Sequence, residues 1–204
     1  GFQRSLASET GQGIFFPNQE RYNDTKIALN GEMLALNDPV LGGDWYGPEL
    51  RVDWGLKFAE EAQKENKPFF WYLGFHGPHT PLMAPRKTVE AFQGEFIEGW
   101  DVLIDEIHER QIASGLIQPD MPLRERPAHI KAWDQLTPEK QKQTEVLMAV
   151  YASMVHEIDQ QVGRIVDFLK AEGEFENTLI MLLSDNGATG IGSSINYYDK
   201  EDFP

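Results

Sequence analysis

The sequence predicts an α/β fold in which a mostly parallel sheet is flanked by helices, with a β-hairpin near the N-terminus. Three observations carry this. Two short apolar runs, "PFFWYLGF" at 68–75 and "NTLIMLLSDNG" at 177–187, have the length and the aromatic or β-rich content of strands buried on both faces, as in a parallel sheet. Each follows a stretch with helical apolar spacing, so strand and helix alternate along the chain. Near the start, "TKIALNGEMLAL" places Asn30-Gly31 between two short alternating runs. Asn-Gly supplies the positive φ angles of a type I′ turn, which predicts the hairpin.

In chain order, residues 1–25 are polar and aromatic with interspersed glycines and read as loop. The hairpin over 25–36 is followed by "NDPVLGGDWYGP", a loop rich in Gly and Pro. From Glu49 to about Asn66, Leu50, Trp54, Phe58, Ala59 and Ala62 recur at helical spacing with charges between them, an amphipathic helix. The first predicted strand, bounded by Pro68 and Gly74, leads into a proline-studded loop over 76–86. Two further helices, Phe96–Ser114 and Thr137–Ala171, flank "GLIQPDMPLRERPAH". The second opens with Thr137 as N-cap and Pro138 at the first helical position. Leu147, Tyr151, Met154, Ile158, Val162, Ile165 and Leu169 form one apolar stripe along it, read as core packing, and Gly173 is placed to cap its C-terminus.

Composition narrows the function. The 204 residues suffice for one sizeable domain, and 41% hydrophobic with 25% charged residues is ordinary for a globular chain. A formal net charge of -15 opposes nucleic acid or an anionic membrane as main partner. No apolar run approaches membrane-spanning length, and the absence of cysteine rules out a thiolate metal site or disulfide within this chain. The sequence carries no compartment signal. It begins without Met and ends in "YYDKEDFP" without a closing element, and it is expected to be part of a longer polypeptide.

The chemistry lies where the two predicted strands stop. The first hands over to His76 and His79, the second to Asp185 and Asn186. In an open α/β sheet, ligands bind outside the carboxyl ends of the strands, so these four residues are expected at one edge. Asp and Asn offer hard oxygen ligands suited to Ca²⁺ or Mg²⁺. A neighbouring imidazole can give a hydrogen bond or proton to an oxyanion. Each feature also has a purely structural reading, Asp-Asn-Gly as a turn and His-Gly-Pro-His as a rigid loop.

Of the remaining histidines, His108 and His156 are expected to be solvated on charged helices, and His129 sits in a loop. Arg86 and Lys87 read as a solvated pair, while Trp45, Tyr46 and Trp100 read as core aromatics.

"PFFWYLGFHGPHTPLMAP" and "YASMVHEIDQQVGRIVDFLKAEGEFENTLIMLLSDNGA" resemble the sulfatase family of the alkaline-phosphatase superfamily. The segments "EGWDVLIDEIHERQIASGLIQPDMPL" and "AWDQLTPEKQKQTEVLMAVYASMV" resemble its bacterial arylsulfatase branch in particular. The likeness covers about residues 44–188. It implies that the predicted sheet is part of an alkaline-phosphatase-like one and that the protein cleaves a sulfate monoester on a small molecule or carbohydrate. The family's nucleophile is a formylglycine hydrate made from Cys or Ser, and one divalent cation, usually Ca²⁺, holds the sulfate oxygens. By motif, Asp185 and Asn186 become metal ligands and His79 contacts the sulfate or leaving-group oxygen; His76, at a position where the family varies, is expected either to bind substrate or to support the residues that do. An amide at Asn186 fits one hard cation better than a two-zinc phosphatase site.

The chain departs from the family pattern in ways that matter. It has no Cys/Ser-x-Pro/Ala-x-Arg segment, no paired acidic ligands near its start and no lysine after Asp-Asn-Gly in the family's position. Residues 1–204 are therefore expected to be the central part of one catalytic domain, whose formylglycine lies upstream of this chain. Two alternatives are a phosphonate or phosphate ester hydrolase of the same superfamily and a non-catalytic calcium- or carbohydrate-binding relative.

Overall fold

The computed structural model describes residues 2–9, 13–19 and 24–187. Its sheet is small and antiparallel, with β1 (Leu6–Ser8), β2 (Lys26–Leu29) and β3 (Glu32–Ala35) in the order β1-β2-β3. The expected hairpin is β2–β3. Asn30 and Gly31 turn it with φ of 52° and 89°, both in the left-handed region that a type I′ turn requires. Strand β1 was not anticipated, since residues 1–25 read as loop; the expectation for 10–12 and 20–23 lies outside the described residues. It is fixed by Asn30, whose amide donates to the Ser5 carbonyl at 2.8 Å while its Oδ1 accepts from the Ser5 amide at 2.9 Å. One turn residue thus aligns a third strand with Leu6 opposite Leu29.

The inner face of this sheet contributes Ile27 and Leu34, and Leu36 follows just past β3, in a core shared with Ile14, Leu41, Trp45 and Leu50. Burying Trp45 leaves one polar atom to satisfy, and its Nε1 donates to the Leu36 carbonyl at 3.0 Å. Leu50 belongs to α1 (Gly47–Lys64), whose start carries Pro48 in the first turn. The helix stops at Asn66, with φ 54°, where Asn66 and Lys67 amides donate back to Gln63 at 2.8 Å and Ala62 at 2.9 Å. That pair of bonds is a Schellman cap.

The long helix, α4 (Pro138–Ala171), is bounded as expected. Thr137 accepts from the Lys140 amide, and Gly173 at φ 72° allows Glu174 to donate to the Leu169 carbonyl at 2.9 Å. Its expected stripe is buried unevenly. Met154 and Leu169 are fully enclosed, Ile158 and Val162 half-buried, and Tyr151 is 45% exposed. Glu145, Ala149, Val150, Ser153 and Gln161 complete the buried face. Helix α4 packs on α1 and on α2 (Arg86–Phe92). A 2.6 Å contact joins Arg164 to Asp53 across the α1–α4 seam, but both ends are partly solvated, so it contributes at most about 1 kcal/mol. Helix α2 begins where the proline loop was expected to end. Helix α3 (Gly99–Ala113) buries only Gly99, and Asp101 on it binds the Trp133 amide at 2.8 Å and Arg126 at 2.6 Å.

The parallel sheet expected from the two apolar segments is not seen among the described residues. Residues 68–75 and 179–184 run without helical or strand ladder bonds, and among the described residues no parallel pair forms. Over 69–75 burial alternates: Phe69, Trp71, Leu73 and Phe75 are half-buried, while Phe70 and Tyr72 are 76% and 75% exposed. One face packs on the helices and the other is open, the period-2 pattern of extended backbone. Leu179, Met181, Leu182 and Leu183 in the second segment are all exposed. An apolar run reports that a segment can be buried, but a strand exists only when a neighbour completes its hydrogen bonds.

Trp71 lies directly over Gly55 of α1, where an added Cβ would fall 1.8 Å from Trp71 Cζ2. Gly55→Ala should therefore destabilise the protein by about 1–3 kcal/mol, despite Ala being the better helix former by about 1 kcal/mol. Chemical unfolding and the near-ultraviolet tryptophan signal would check this; unchanged stability with an unchanged signal would contradict the close packing.

Candidate functional site

The loop over 76–84 is built from beneath by three other parts of the chain. Phe15, Tyr46 and Met154 form a second buried cluster, on which Phe16, Leu82, Met83 and Ala84 pack. The Phe15 ring stacks on Tyr46 at 6.0 Å, and Tyr46 Oη donates to the Met83 carbonyl at 3.0 Å. Burial, aided by Glu157, pushes the Tyr46 phenol upward, so it stays a neutral donor. Gln19 accepts from the Phe15 and Phe16 amides, with its Nε2 2.9 Å from Met83 Sδ. On the α4 side, a Cβ at Gly77 would approach Ile158 Cδ1 to 3.1 Å. Thr88 donates to Glu157, tying the start of α2 to α4.

This support holds a tight turn. The His79 amide donates to the His76 carbonyl at 2.9 Å, and the Gly77–Pro78 and Thr80–Pro81 peptide bonds are cis. The two imidazoles are then treated differently. His76 is half-buried against the edge of Phe15, with ring centroids 6.5 Å apart, and its Nδ1 lies 2.8 Å from Arg51 Nη2. Arg51 reaches it from α1 and also donates through Nη1 to the Gly47 carbonyl at 2.8 Å. Burial, then the charges of Arg51 and His79, lower the His76 pKa to about 4. Burial lowers Arg51 only to about 10, so the guanidinium remains charged near neutrality. His79 is exposed, and its Nδ1 lies 2.6 Å from the Thr80 carbonyl. A carbonyl only accepts, so Nδ1 carries the proton and Nε2 faces outward chemistry as a base, or as an acid once protonated.

The Asp185-Asn186 turn follows the second extended segment and is exposed. Ser184 Oγ donates to the Asn186 carbonyl at 2.6 Å, and Asn186 Nδ2 donates to the Gly187 carbonyl at 2.8 Å. Among the described residues, Asn186 Oδ1 accepts no hydrogen bond and Asp185 forms no hydrogen bond or ion pair. Two hard oxygen donors presented side by side fit part of a Ca²⁺ or Mg²⁺ shell. No hydrogen bond or ion pair joins this turn to either histidine among the described residues, and no cluster of three metal-capable side chains is found among them.

Other expectations resolve simply. Trp45 and Tyr46 are core residues. Trp100 packs edge-on to Trp133 at 5.1 Å. His156 is exposed beside the Phe92 ring. His108, expected to be solvated, is half-buried and bonded to the Met121 carbonyl at 3.0 Å. Arg51 is the residue that sequence reasoning missed. A cation between Leu50 and Val52 near the positive end of a helix was the available hint.

His76 binds protons less readily folded than unfolded, where its pKa is the ordinary 6.5. Its contribution to stability is thus complete above about pH 6.5 and is lost as pH falls through about 4. Unfolding curves at pH 7 and at the acid end of that window should show a loss that His76→Gln removes; equal losses in both proteins would contradict the burial of a neutral imidazole.

Comparison with known proteins identifies the family of the chain. The sulfatase family model matches residues 16–202. An arylsulfatase from Klebsiella aerogenes is 35% identical over 80% of this chain and 34% of its own length. An uncharacterized sulfatase from Schizosaccharomyces pombe is 38% identical over 93% of this chain and 35% of its own. A sulfatase from Formosa agariphila is 29% identical over 67% of this chain and 25% of its own. The chain thus spans about a third of the length of the first two relatives. With nearly all of its described residues inside the family match, the chain belongs to the sulfatase family of the alkaline-phosphatase superfamily.

Proposed function

We propose that the full-length protein is a sulfuric ester hydrolase of arylsulfatase type, and that this chain supplies one wall of its active site. The observation that carries the reading is the His76–His79 turn, held from below by α1 and α4 and lying within a sulfatase family match. Rigid support is what a group must have to act at a fixed distance from a reacting atom.

In this reading Asp185 and Asn186 provide oxygen ligands to a single divalent cation, Ca²⁺ or Mg²⁺, with the rest of the shell outside this chain. Held there, such a cation would supply a positive centre against the sulfate charge. A formylglycine from sequence upstream of this chain supplies the nucleophile. His79, with Nδ1–H engaged by Thr80, would hold a proton at Nε2 and give it to the leaving-group oxygen as the ester S–O bond breaks and a new S–O bond forms to the upstream nucleophile. His76 offers a hydrogen bond to the sulfate. The net charge of -15 repels an anionic ester at long range, so the cation and the imidazoles must make the site locally attractive. The open faces of 69–75 and 179–183 are covered by the remainder of the polypeptide.

In the full-length protein, His79→Ala should lower kcat on an aryl sulfate by about 10²–10⁴, and Asn186→Ala should weaken cation binding with partial rescue by excess Ca²⁺. Steady-state rates with and without a chelator check both. Faster turnover of an aryl phosphonate than of an aryl sulfate would move the protein to the phosphonate branch, and tight cation binding with no turnover of either would make it a binding relative.

The 204-residue chain on its own should hydrolyse no sulfate ester. Turnover of an aryl sulfate by the purified chain would show that it holds a complete catalytic set.

A further inference from the structure

A guanidinium has donors only, so the 2.8 Å contact between Arg51 Nη2 and His76 Nδ1 requires an unprotonated Nδ1. A neutral imidazole with a bare Nδ1 carries its proton on Nε2. Protonating Nδ1 would drive an N–H against the guanidinium and break the contact. Arg51 cannot easily turn away: Nη1 is engaged by the Gly47 carbonyl at 2.8 Å, and Leu50 and Val52 on either side are in the core. Gly47 is itself pinned, its amide donating to the Phe15 carbonyl at 2.8 Å. Among the described residues Nε2 of His76 meets no acceptor, and Trp100 Nε1 is the buried side-chain nitrogen or oxygen there that lacks a partner. The Nε2–H of His76 is therefore open to an incoming ligand.

We infer that Arg51 is a positioning residue that locks His76 as a neutral Nε2–H donor, so that the turn offers an anionic ester two imidazoles of opposite character. His76 gives a hydrogen bond and cannot act as a base, because its second nitrogen is occupied. His79, with its proton on Nδ1 toward Thr80, keeps the nitrogen that can exchange a proton. The downward shift of His76 to about 4, caused first by burial and then by the charges of Arg51 and His79, agrees with this assignment. The tautomer follows from the geometry alone, and its use on a sulfate oxygen rests on the function proposed above.

The test is nitrogen-15 NMR of the full-length protein labelled at histidine, with His76 assigned by its loss in His76→Asn. At neutral pH, His76 should show a pyridine-type Nδ1 and a pyrrole-type Nε2 bearing the proton. Arg51→Met should release it into a tautomer mixture and lower kcat/KM on an aryl sulfate about 10- to 100-fold, while Arg51→Lys, which keeps a charged donor, should recover the tautomer. A protonated Nδ1 in the wild type, or an unchanged tautomer in Arg51→Met, overturns the inference; if Arg51→Met does not fold, the wild-type spectrum decides. A protein with the expected spectrum that cleaves no sulfate ester would leave the inference standing and remove the proposed function.

Discussion

The candidate site depends on one close approach, the Trp71 indole lying on the bare backbone of Gly55 in α1. The segment 69–75 has no strand neighbour among the described residues to fix its height or register, so its position is set by packing on a helix. Trp71 provides the largest surface on the covered face, and the absence of a Cβ at residue 55 lets that surface settle at contact distance. Five residues further on, the chain delivers His76 to Arg51, which projects from the same helix one turn before Gly55. The helix thus serves as both floor and clamp. Helix α4 supplies the other wall through Met154 and Ile158.

Electrostatics follow from that placement. An acidic chain would ordinarily raise histidine pKa values, yet His76 is moved the other way. Desolvation and a nearby guanidinium both oppose a second positive charge, and at 2.8 Å they outweigh the diffuse field of distant, solvent-screened carboxylates. Neighbouring imidazoles in one short turn therefore take different proton placements, because one faces a donor and the other a carbonyl. Helix α1 contributes this distinction through a residue outside the His-Gly-Pro-His motif.

Local signals in the sequence were reliable where the chemistry is local. Asn30-Gly31 specified its hairpin, and Thr137-Pro138 with Gly173 bounded a helix of 34 residues, because caps and turns are decided by a few adjacent atoms. Helix α2 was hidden by its own start: Pro85 read as the end of a proline loop, although a proline is well suited to precede a helix. Strand β1 depended on Asn30 reaching back to Ser5, a pairing no pattern within residues 1–25 announces. The apolar content of 68–75 correctly marked an extended segment, but pairing is a property of neighbours and cannot be read from one strand. For the site, His76, His79, Asp185 and Asn186 could be picked out by residue type at the ends of two apolar extended segments. Arg51 was not, because its partner lies 25 residues away and no periodicity links a helix cation to a loop imidazole.

The central claim is that the His76–His79 turn and the Asp185-Asn186 turn meet across one cation and one sulfate. A crystal structure of the full-length protein with Ca²⁺ and inorganic sulfate measures this directly. The account predicts oxygens of Asp185 and Asn186 within about 2.3–2.6 Å of the cation, and a ring nitrogen of His79 within hydrogen-bond reach of the sulfate. A cation held by other residues, with these two turns apart, would contradict it.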